Sequence, residues 1–489
     1  MSTRFLTPWQ RLQRAWRDWR ELDGIPPVAP DLSPDGGTQV EAMMAECLAA
    51  RHGEVSARQH AAALGELYLT LNATGRQHFL EILASRFSID REQVRQAARR
   101  LSEEKDDALF AQQVRDLQEA VIAPREQLLR QFNALPQGVK FLIDMRADLL
   151  GYRQASPDLQ SLDTDLKQLL ATWFDVGFLR VERITWQSPA NLLEKLMDYE
   201  AVHAISSWRD LHHRLESDRH CYAFFHPGMP DEPLIFIEVA LVKGLATSIQ
   251  SLLDEARPDV DPAKADTAIF YSISNTQAGL KGISFGPFLI KKVVDSLRAS
   301  LPNLKTFATL SPLPGFRQWL DVALAKEDLD EVVALKEALQ GVAAQLGVTP
   351  TLTAVLETLA LTDAPDAAAE SLKGPMLGFC ARYLHERRQK DGVPLDPVAR
   401  FHLGNGARIE QINWRGDLSE KGLRESYGLM VNYHYRLDEM KQNIEAYSTE
   451  KQIASAARVR NLLREDSSSL AKLTGLRRFL PDSRDSEVS

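Results

Sequence analysis

The stretch TAIFYSISNTQAGLKGISFGPFLIKKVVDSLRASLPNLKTFATLS, residues 267–311, decides the fold class of this chain. It begins and ends with runs of β-branched and aromatic residues, which are typical of buried strands. Between these runs lies a glycine-containing loop, followed by apolar residues at helical spacing. Pro287 fits the first turn of this predicted helix, and Pro302 ends it. The order of strand, glycine loop, helix and strand predicts an α/β domain.

The glycine loop in this stretch suggests a binding site for an anion. Gly279, Gly282 and Gly286 lack side chains, so that backbone N–H groups can approach a ligand, and the dipole of the following helix favours negative charge. A phosphate or a pyrophosphate fits such a loop. The glycine spacing matches neither the Rossmann fingerprint nor the P-loop. Loop composition alone therefore leaves an equal alternative, in which the glycines only permit tight turns.

The N-terminal part of the chain has a helical composition. From residue 38 to about 155, Ala, Leu, Glu, Gln and Arg dominate, which predicts several helices packed as a bundle. Asp90 followed by Gln93 has the form of a capping box and predicts a helix start. We expect breaks between the helices near residues 72–75, 134–138 and 151–157.

Strand-forming residues become frequent after about residue 170, which places a domain boundary between about 155 and 170. We assign residues 1–160 to a helical bundle domain and residues 161–489 to an α/β domain. The nearly unbroken apolar run at 233–242 predicts a central strand covered on both faces. Further predicted elements are a helical insertion over 323–400 and strands near 409–414 and 429–435.

Composition excludes several protein classes. With 58 basic and 67 acidic residues, a net charge of −9 and 44% hydrophobic residues, the chain has the profile of a globular protein with two or three folding units. The mild acidity argues against a nucleic-acid partner. We expect no membrane association, because no apolar run reaches membrane-spanning length, and a cytoplasmic location, because no targeting signal is visible. The three cysteines are expected to be reduced thiols without metal-ligand spacing.

Two polar side chains lie in stiff settings. Ser311 ends the second predicted strand, where two prolines and a glycine follow within the next four residues. His402 lies in a predicted turn, RFHLGNG at 400–406, before a strand. From the residues alone, a turn-capping serine and a surface or core histidine are the favoured interpretations. No G-x-S-x-G elbow, metal-binding pattern or cofactor signature is present, so we expect no metal and no cofactor.

Several longer segments carry a resemblance to a known family, and they occur in the family's order. These segments are FYSIS at 270–274, QAGLKG at 277–282, GPFLIKKV at 286–293, LSPLPGF at 310–316, FHLGNG at 401–406, INW at 412–414 and GLMVNY at 428–433. They closely resemble malonyl-CoA decarboxylase. The resemblance is strongest from about 170 to 440, and the helical N-terminal part is similar to the helical domain of that family.

The resemblance implies a fold and a set of site residues. The α/β domain would have the GNAT acetyltransferase fold, whose glycine loop and following helix bind the pyrophosphate of CoA. Ser311 and His402 would be the catalytic pair. Ser284 departs from the family pattern, in which a glutamate is expected. The CoA-binding residues implied by the resemblance are Lys281, Gly282, Ile283, Ser284, Phe285, Gly286 and Pro287.

The resemblance also implies a reaction, the conversion of malonyl-CoA to acetyl-CoA and CO2, and a place in fatty acid metabolism. Loss of CO2 leaves negative charge on the thioester oxygen, so that the site must stabilise an enolate and then protonate it. Ser311 and His402 could do both, and either could be the direct proton donor. Two alternatives share the CoA loop: an acyl-CoA N-acyltransferase and a non-catalytic CoA sensor. We also expect a homo-oligomer, a dimer or a tetramer, assembled through the helical domain.

Overall fold

The structure is a computed structural model that divides into two compact units. The described residues are Trp16, 28–49, 54–256, 260–283, 288–325, 330–361 and 366–464. The helical unit consists of the described residues within Met1–Leu179, Phe225–Glu232 and Gln277–Ser284. The sheet unit consists of those within Arg180–Phe224, Pro233–Thr276 and Phe285–Ser489.

The helical unit has short connections between its helices, and polar side chains mark several helix starts. Asp90 accepts hydrogen bonds from the N–H groups of Glu92 and Gln93, at 2.9 and 3.2 Å, which confirms the predicted start. The helices also break close to the predicted positions. They are α1 (Pro34–Ala49), α2 (Glu54–Thr70), α3 (Ala73–Arg86), α4 (Arg91–Glu103), α5 (Asp107–Ala120), α6 (Pro124–Asn133), α7 (Gly138–Tyr152) and α8 (Pro157–Trp173).

The core of the helical unit contains a cluster of aromatic rings. Trp16 is fully buried, and its indole N–H donates to the carbonyl of Pro136 at 2.8 Å. The ring of Phe141 lies edge-on to Trp16 at 4.9 Å and to Tyr68 at 5.6 Å. Edge-to-face packing of this kind fixes the mutual orientation of the elements that carry the rings.

The strands form one mixed sheet in the order β1-β2-β3-β4-β5-β7-β6. The pair β4–β5 is parallel, whereas β3–β4, β5–β7 and β6–β7 are antiparallel. Every residue of β3 from Leu234 to Val242 is buried, which confirms the predicted central strand. The strands are β1 (Arg180–Ile184), β2 (Arg219–His226), β3 (Met229–Val242), β4 (Thr267–Asn275), β5 (Thr306–Thr309), β6 (Arg408–Asn413) and β7 (Met430–His434).

The remaining helices accompany the sheet, and five of them follow β5 and precede β6, as the predicted helical insertion requires. They are α9 (Ala190–Tyr199), α10 (Trp208–His213), α11 (Ile249–Leu253), α12 (Phe288–Ser300), α13 (Phe316–Leu324), α14 (Asp330–Leu346), α15 (Leu352–Leu361), α16 (Asp366–His385), α17 (Pro397–Gly404), α18 (Glu420–Ser426), α19 (Met440–Glu450) and α20 (Ala457–Arg464). The predicted helical N-terminal region, followed by an α/β region with a helical insertion, is confirmed. Within the described ranges, no helix has the length and apolar character needed to cross a bilayer.

Candidate active site

Ser311 lies just beyond the end of β5, as predicted, and is fixed there by backbone pairing. Its N–H donates to the carbonyl of Val431 at 2.8 Å, and its carbonyl accepts the N–H of Val431 at 2.9 Å. The preceding residue, Leu310, donates its N–H to Phe270 of β4 at 3.0 Å. Pro312 follows and cannot donate a further hydrogen bond to the neighbouring strand, because proline has no N–H. The Ser311 side chain is buried and held in one place by β4 and β7.

His402 lies on helix α17, so that the predicted turn over 400–406 was wrong at this residue. Asp396 caps the helix, since its carboxylate accepts the N–H of Ala399 at 2.7 Å, and Pro397 occupies the first turn. The glycine-rich segment after His402 does not form the turn predicted over 400–406. It ends helix α17 at Gly404. The consequence is a histidine on a rigid element, with its side chain buried.

The two predicted catalytic residues meet, although 91 positions separate them in sequence. The Nε2 atom of His402 lies 3.2 Å from Oγ of Ser311. Oγ of Ser311 also donates to Oγ1 of Thr309 at 2.8 Å, and Thr309 in turn accepts the N–H of Tyr433 at 3.1 Å. Hydroxyl and imidazole therefore belong to one hydrogen-bonded chain that begins on the sheet backbone.

Two tyrosines on β7 and just beyond it complete the surroundings of the imidazole. The phenol oxygen of Tyr435 lies 2.7 Å from Nδ1 of His402, and the ring of Tyr433 stacks on the imidazole at 4.6 Å. Burial lowers the pKa of His402 to about 3 and raises the pKa of Tyr435 well above its ordinary value. His402 is therefore a neutral imidazole at physiological pH.

A neutral imidazole carries one proton, and its neighbours allow two arrangements of that proton. If Tyr435 donates to Nδ1, the proton sits on Nε2 and His402 donates to Ser311, whose hydroxyl then donates to Thr309. If Ser311 donates to Nε2, the Nδ1–H group donates to the phenol oxygen. The two arrangements differ in whether Nε2 or Nδ1 carries the ring proton, and both are neutral. The site can thus donate hydrogen bonds and transfer a proton.

A cavity of about 100 Å³ adjoins the pair. The apolar part of the cavity wall is formed by Phe270, Val398 and Phe401, and polar groups come from Ser272 and Asn275. None of the described residues that line the cavity is a lysine, an arginine or a carboxylate. A carboxylate placed in such a cavity would lose its hydration without gaining an ion pair, which favours its departure as neutral CO2.

A buried carboxylate network lies behind one wall of the cavity. The hydroxyl of Ser272 donates to Glu200 at 2.7 Å, and Ser274 donates to the same carboxylate at 3.0 Å. Glu238 is fully buried, and this burial, together with the nearby Glu200, raises its pKa to about 8. Arg214 lies 3.2 Å from Glu238. Because Ser272 and Ser274 are committed to Glu200, this network stiffens the wall.

The structure describes three of the seven predicted CoA-binding residues, namely Lys281, Gly282 and Ile283. Residues 284–287 lie outside the described residues. Gly282 has φ +75°, a backbone conformation that favours glycine. This loop therefore requires a glycine at 282 for its backbone path, whether or not it binds a ligand.

The first part of the loop is anchored to helix α7 by a buried guanidinium. Arg146, 1% exposed, donates to the carbonyls of Gly279 at 2.5 Å and Lys281 at 2.9 Å. Its Nε donates to Asp163 of α8 at 2.8 Å. A Cβ added to Gly279 would lie 1.8 Å from the carbonyl oxygen of Ile143, so that the loop and α7 touch backbone to backbone.

Sequence reasoning missed Tyr435, Thr309 and Arg146. Tyr433 and Tyr435 are two apart on a predicted strand and so share a face, which was an available signal for an aromatic surface beside the site. Arg146 gave no local signal, because its acceptors are carbonyls more than 130 positions away. The proximity of the Ser311–His402 pair to a CoA molecule on the loop stays a prediction.

Comparison with known proteins assigns the family. The model of the malonyl-CoA decarboxylase C-terminal domain matches residues 177–473, and that of the N-terminal domain matches residues 87–174. The chain is 34% identical to a mitochondrial malonyl-CoA decarboxylase of Anser anser anser (92% of this chain, 93% of the relative), and 36% identical to that of Rattus norvegicus (80% and 82%). A crystal structure of malonyl-CoA decarboxylase from Rhodopseudomonas palustris, 41% identical, superposes with a TM-score of 0.77 over 87% of this chain and 99% of that one. The chain belongs to the malonyl-CoA decarboxylase family of carboxy-lyases.

Proposed function

We propose that this chain converts malonyl-CoA to acetyl-CoA and CO2 without a metal or an organic cofactor, and that Ser311 and His402 carry the proton step. The observation that carries the proposal is the 3.2 Å contact between Oγ of Ser311 and Nε2 of His402 beside a cavity whose described lining residues are uncharged. A neutral pair of this kind can donate hydrogen bonds to a developing enolate oxygen.

The first step breaks the bond between the malonyl carboxylate carbon and the α carbon. Its electron pair passes into the thioester and forms an enolate, while CO2 leaves. Apolar walls such as Phe270 and Phe401 disfavour the charged carboxylate, and donors from the pair stabilise the enolate oxygen. The barrier falls because the donors match the charge of the transition state better than that of the substrate.

The second step places a proton on the α carbon and gives acetyl-CoA. The imidazole is neutral before the reaction, because burial lowers the pKa of His402 to about 3. The proton therefore comes from the neutral Ser311–His402 chain, either from the hydroxyl or from Nε2–H. The pair then takes one proton from solvent, which balances the reaction. Thr309 and Tyr435 hold the two ends of the chain at 2.8 and 2.7 Å.

The CoA portion of the substrate is proposed to bind at the glycine loop. Support comes from the positive φ of Gly282 and from the buried anchor at Arg146, which together give the described part of the loop one defined path. The proposed binding residues are Lys281, Gly282, Ile283, Ser284, Phe285, Gly286 and Pro287.

We further propose that residues 1–160 form an assembly domain and that residues 161–489 carry catalysis, in a homo-oligomer of two or four chains. Helix α5 buries none of its side chains, and Leu109 and Phe110 are each 50% exposed. Two adjacent exposed apolar side chains on this helix are candidates for a subunit contact if they belong to a larger apolar patch. The cytoplasmic location stays a prediction from the sequence.

The decisive experiment incubates the protein with malonyl-CoA in the absence of any amine. We expect equal amounts of CO2 and acetyl-CoA, and a large loss of both with His402→Gln. A metal chelator should leave the rate unchanged. Transfer of the malonyl group to an added amine, with no CO2 in its absence, would instead establish an N-acyltransferase. Binding of CoA with neither reaction would establish a sensor.

A further inference from the structure

A cationic side chain of the helical unit reaches the glycine loop. Lys167 lies on helix α8, and its Nζ atom is 3.0 Å from the position that a Cβ of Gly282 would occupy. Its Cε atom is 3.5 Å from the same position. The ammonium group therefore lies against the bare backbone face of Gly282, where a side chain would otherwise intervene.

The ammonium of Lys167 is available for a ligand. The side chain is exposed, and it makes no hydrogen bond or ion pair with any residue that the structure describes. The two acidic residues nearest in sequence on α8 have other cationic partners: Asp163 contacts Arg146, and Asp165 contacts Arg125. An unpaired lysine beside a glycine-containing loop is a suitable contact for an anion.

A buried arginine fixes the separation between the loop and the helix that carries Lys167. Arg146 joins the carbonyls of Gly279 and Lys281 to Asp163 of α8, the helix that also carries Lys167. The loop thus cannot move away from α8 without breaking buried, charge-assisted hydrogen bonds. A loop held at a fixed distance from α8 keeps Gly282 within reach of Lys167 when an anion binds.

We propose that Lys167 binds a phosphate group of the CoA moiety and is a substrate-binding residue supplied by the helical unit. The proposal rests on the proposed function, because it takes CoA as the molecule on the loop. CoA carries a pyrophosphate and a 3′-phosphate, and both offer the same chemistry to an ammonium group. Lys167 pairs with one of them next to Gly282, which leaves room for a phosphate oxygen. The helical unit then contributes to substrate affinity in addition to assembly.

The test compares Lys167→Ala and Lys167→Arg with Lys105→Ala, a matched control at an exposed lysine between α4 and α5. Calorimetry with CoA should show about tenfold weaker binding for Lys167→Ala, which is the loss of one charged contact. Lys167→Arg should retain most of the affinity because it keeps the charge. Lys105→Ala should bind like the parent. The difference between the parent and Lys167→Ala should shrink as salt concentration rises.

Substrate analogues show which phosphate is bound. Dephospho-CoA lacks only the 3′-phosphate. If Lys167→Ala weakens binding of dephospho-CoA as much as binding of CoA, Lys167 contacts the pyrophosphate. If Lys167→Ala does not weaken binding of dephospho-CoA, Lys167 contacts the 3′-phosphate. With malonyl-pantetheine, which has neither group, KM should be the same in Lys167→Ala and the parent. An equal loss of affinity for malonyl-pantetheine would overturn the proposal.

Failure of this proposal can be distinguished from failure of the proposed function. If the parent releases CO2 from malonyl-CoA while Lys167→Ala binds CoA with parental affinity, the lysine has no role and the decarboxylase assignment stands. If the parent releases no CO2 from malonyl-CoA, the proposed function falls, whereas tenfold weaker binding of CoA by Lys167→Ala would still support the phosphate contact.

Discussion

The phenol oxygen of Tyr435 lies 2.7 Å from Nδ1 of His402, on the edge of the imidazole opposite Ser311. This contact gives Nδ1 a hydrogen-bond partner in either arrangement of the imidazole proton. It also prevents the ring from flipping, since both nitrogens already have partners. In the proposed proton step, Tyr435 is therefore a positioning residue for the neutral His402.

We expect Tyr435→Phe to lower kcat about tenfold while CoA affinity changes little, because the imidazole loses the hydrogen-bond partner that holds Nδ1 in place. Steady-state kinetics and calorimetry with CoA give the two quantities. A merely structural role would not alter the solvent isotope effect on kcat, whereas a change in the proton step should. Parental kcat in a folded Tyr435→Phe protein would contradict the positioning role.

His402→Ala and Ser311→Ala should each lower kcat by roughly 10²-fold or more, with CoA affinity nearly unchanged. The two residues share one hydrogen-bonded chain, so that the losses should not add. A double variant as slow as the worse single variant is the expected result in single-turnover measurements. Multiplicative losses would show that the residues act in separate steps.

The buried His402 should make the protein less stable in acid. Burial lowers its pKa from 6.5 to about 3, so that only the unfolded chain takes up a proton between these values. The free energy of unfolding should therefore fall as pH drops from about 6.5 toward 3, with a contribution of about 2 kcal/mol from this residue by pH 5. Urea denaturation at pH 7.5 and pH 5 measures the fall in the parent and in His402→Gln, with exposed His78→Gln as a matched control. An equal fall in the parent and His402→Gln would contradict the assignment.

A bulky side chain at Gly282 should weaken CoA binding. Gly282→Val combines an unfavourable φ of +75° with a side chain that would meet Nζ of Lys167. We expect KM for malonyl-CoA to rise and kcat to change less, since the chemical pair is untouched. Gly151→Val, at a glycine where a Cβ meets nothing within 4 Å, is the matched control. Parental CoA affinity in a folded Gly282→Val protein would show that the loop does not bind CoA.

Light scattering on the full chain tests assembly through the helical unit. Leu109→Glu combined with Phe110→Glu places charge on the exposed apolar face of α5 and should reduce the number of chains in the particle. Leu361→Glu changes an 87% exposed leucine of the sheet unit and should leave the association state as in the parent. An unchanged particle mass in the α5 variant would remove this helix from the subunit contact.

The sequence predicted the elements whose signals are local. The described residues of 267–311 form the predicted strand, helix and strand, because apolar periodicity marks these elements and Pro302 follows the end of the helix. The turn predicted around His402 was wrong. The prediction gave more weight to the glycines that follow His402 than to the N-cap residue that precedes it. Asp396 followed by proline is a helix start, and it outweighs the later turn residues.

The parts of the site that could not be predicted depend on distant partners. Thr309 and Tyr435 contact the Ser311–His402 pair because β5 and β7 are neighbours, which is a matter of strand order. The carbonyl acceptors of Arg146 are equally remote in sequence. Every residue has a backbone carbonyl, so the residue types do not indicate which carbonyls accept. Ser311 and His402 were named through resemblance to a family, since their local settings favoured ordinary structural roles.

The Arg146 anchor has a consequence for biosynthesis. The helical unit includes the described residues of Gln277–Ser284, so that its last segment leaves the ribosome more than a hundred residues after helix α8. Until then the guanidinium lacks the carbonyls of Gly279 and Lys281. These contacts of Arg146 can therefore form only after nearly three fifths of the chain has been translated. A premature stop before residue 277 would release a bundle with a buried charge only partly satisfied, a suitable substrate for cellular quality control.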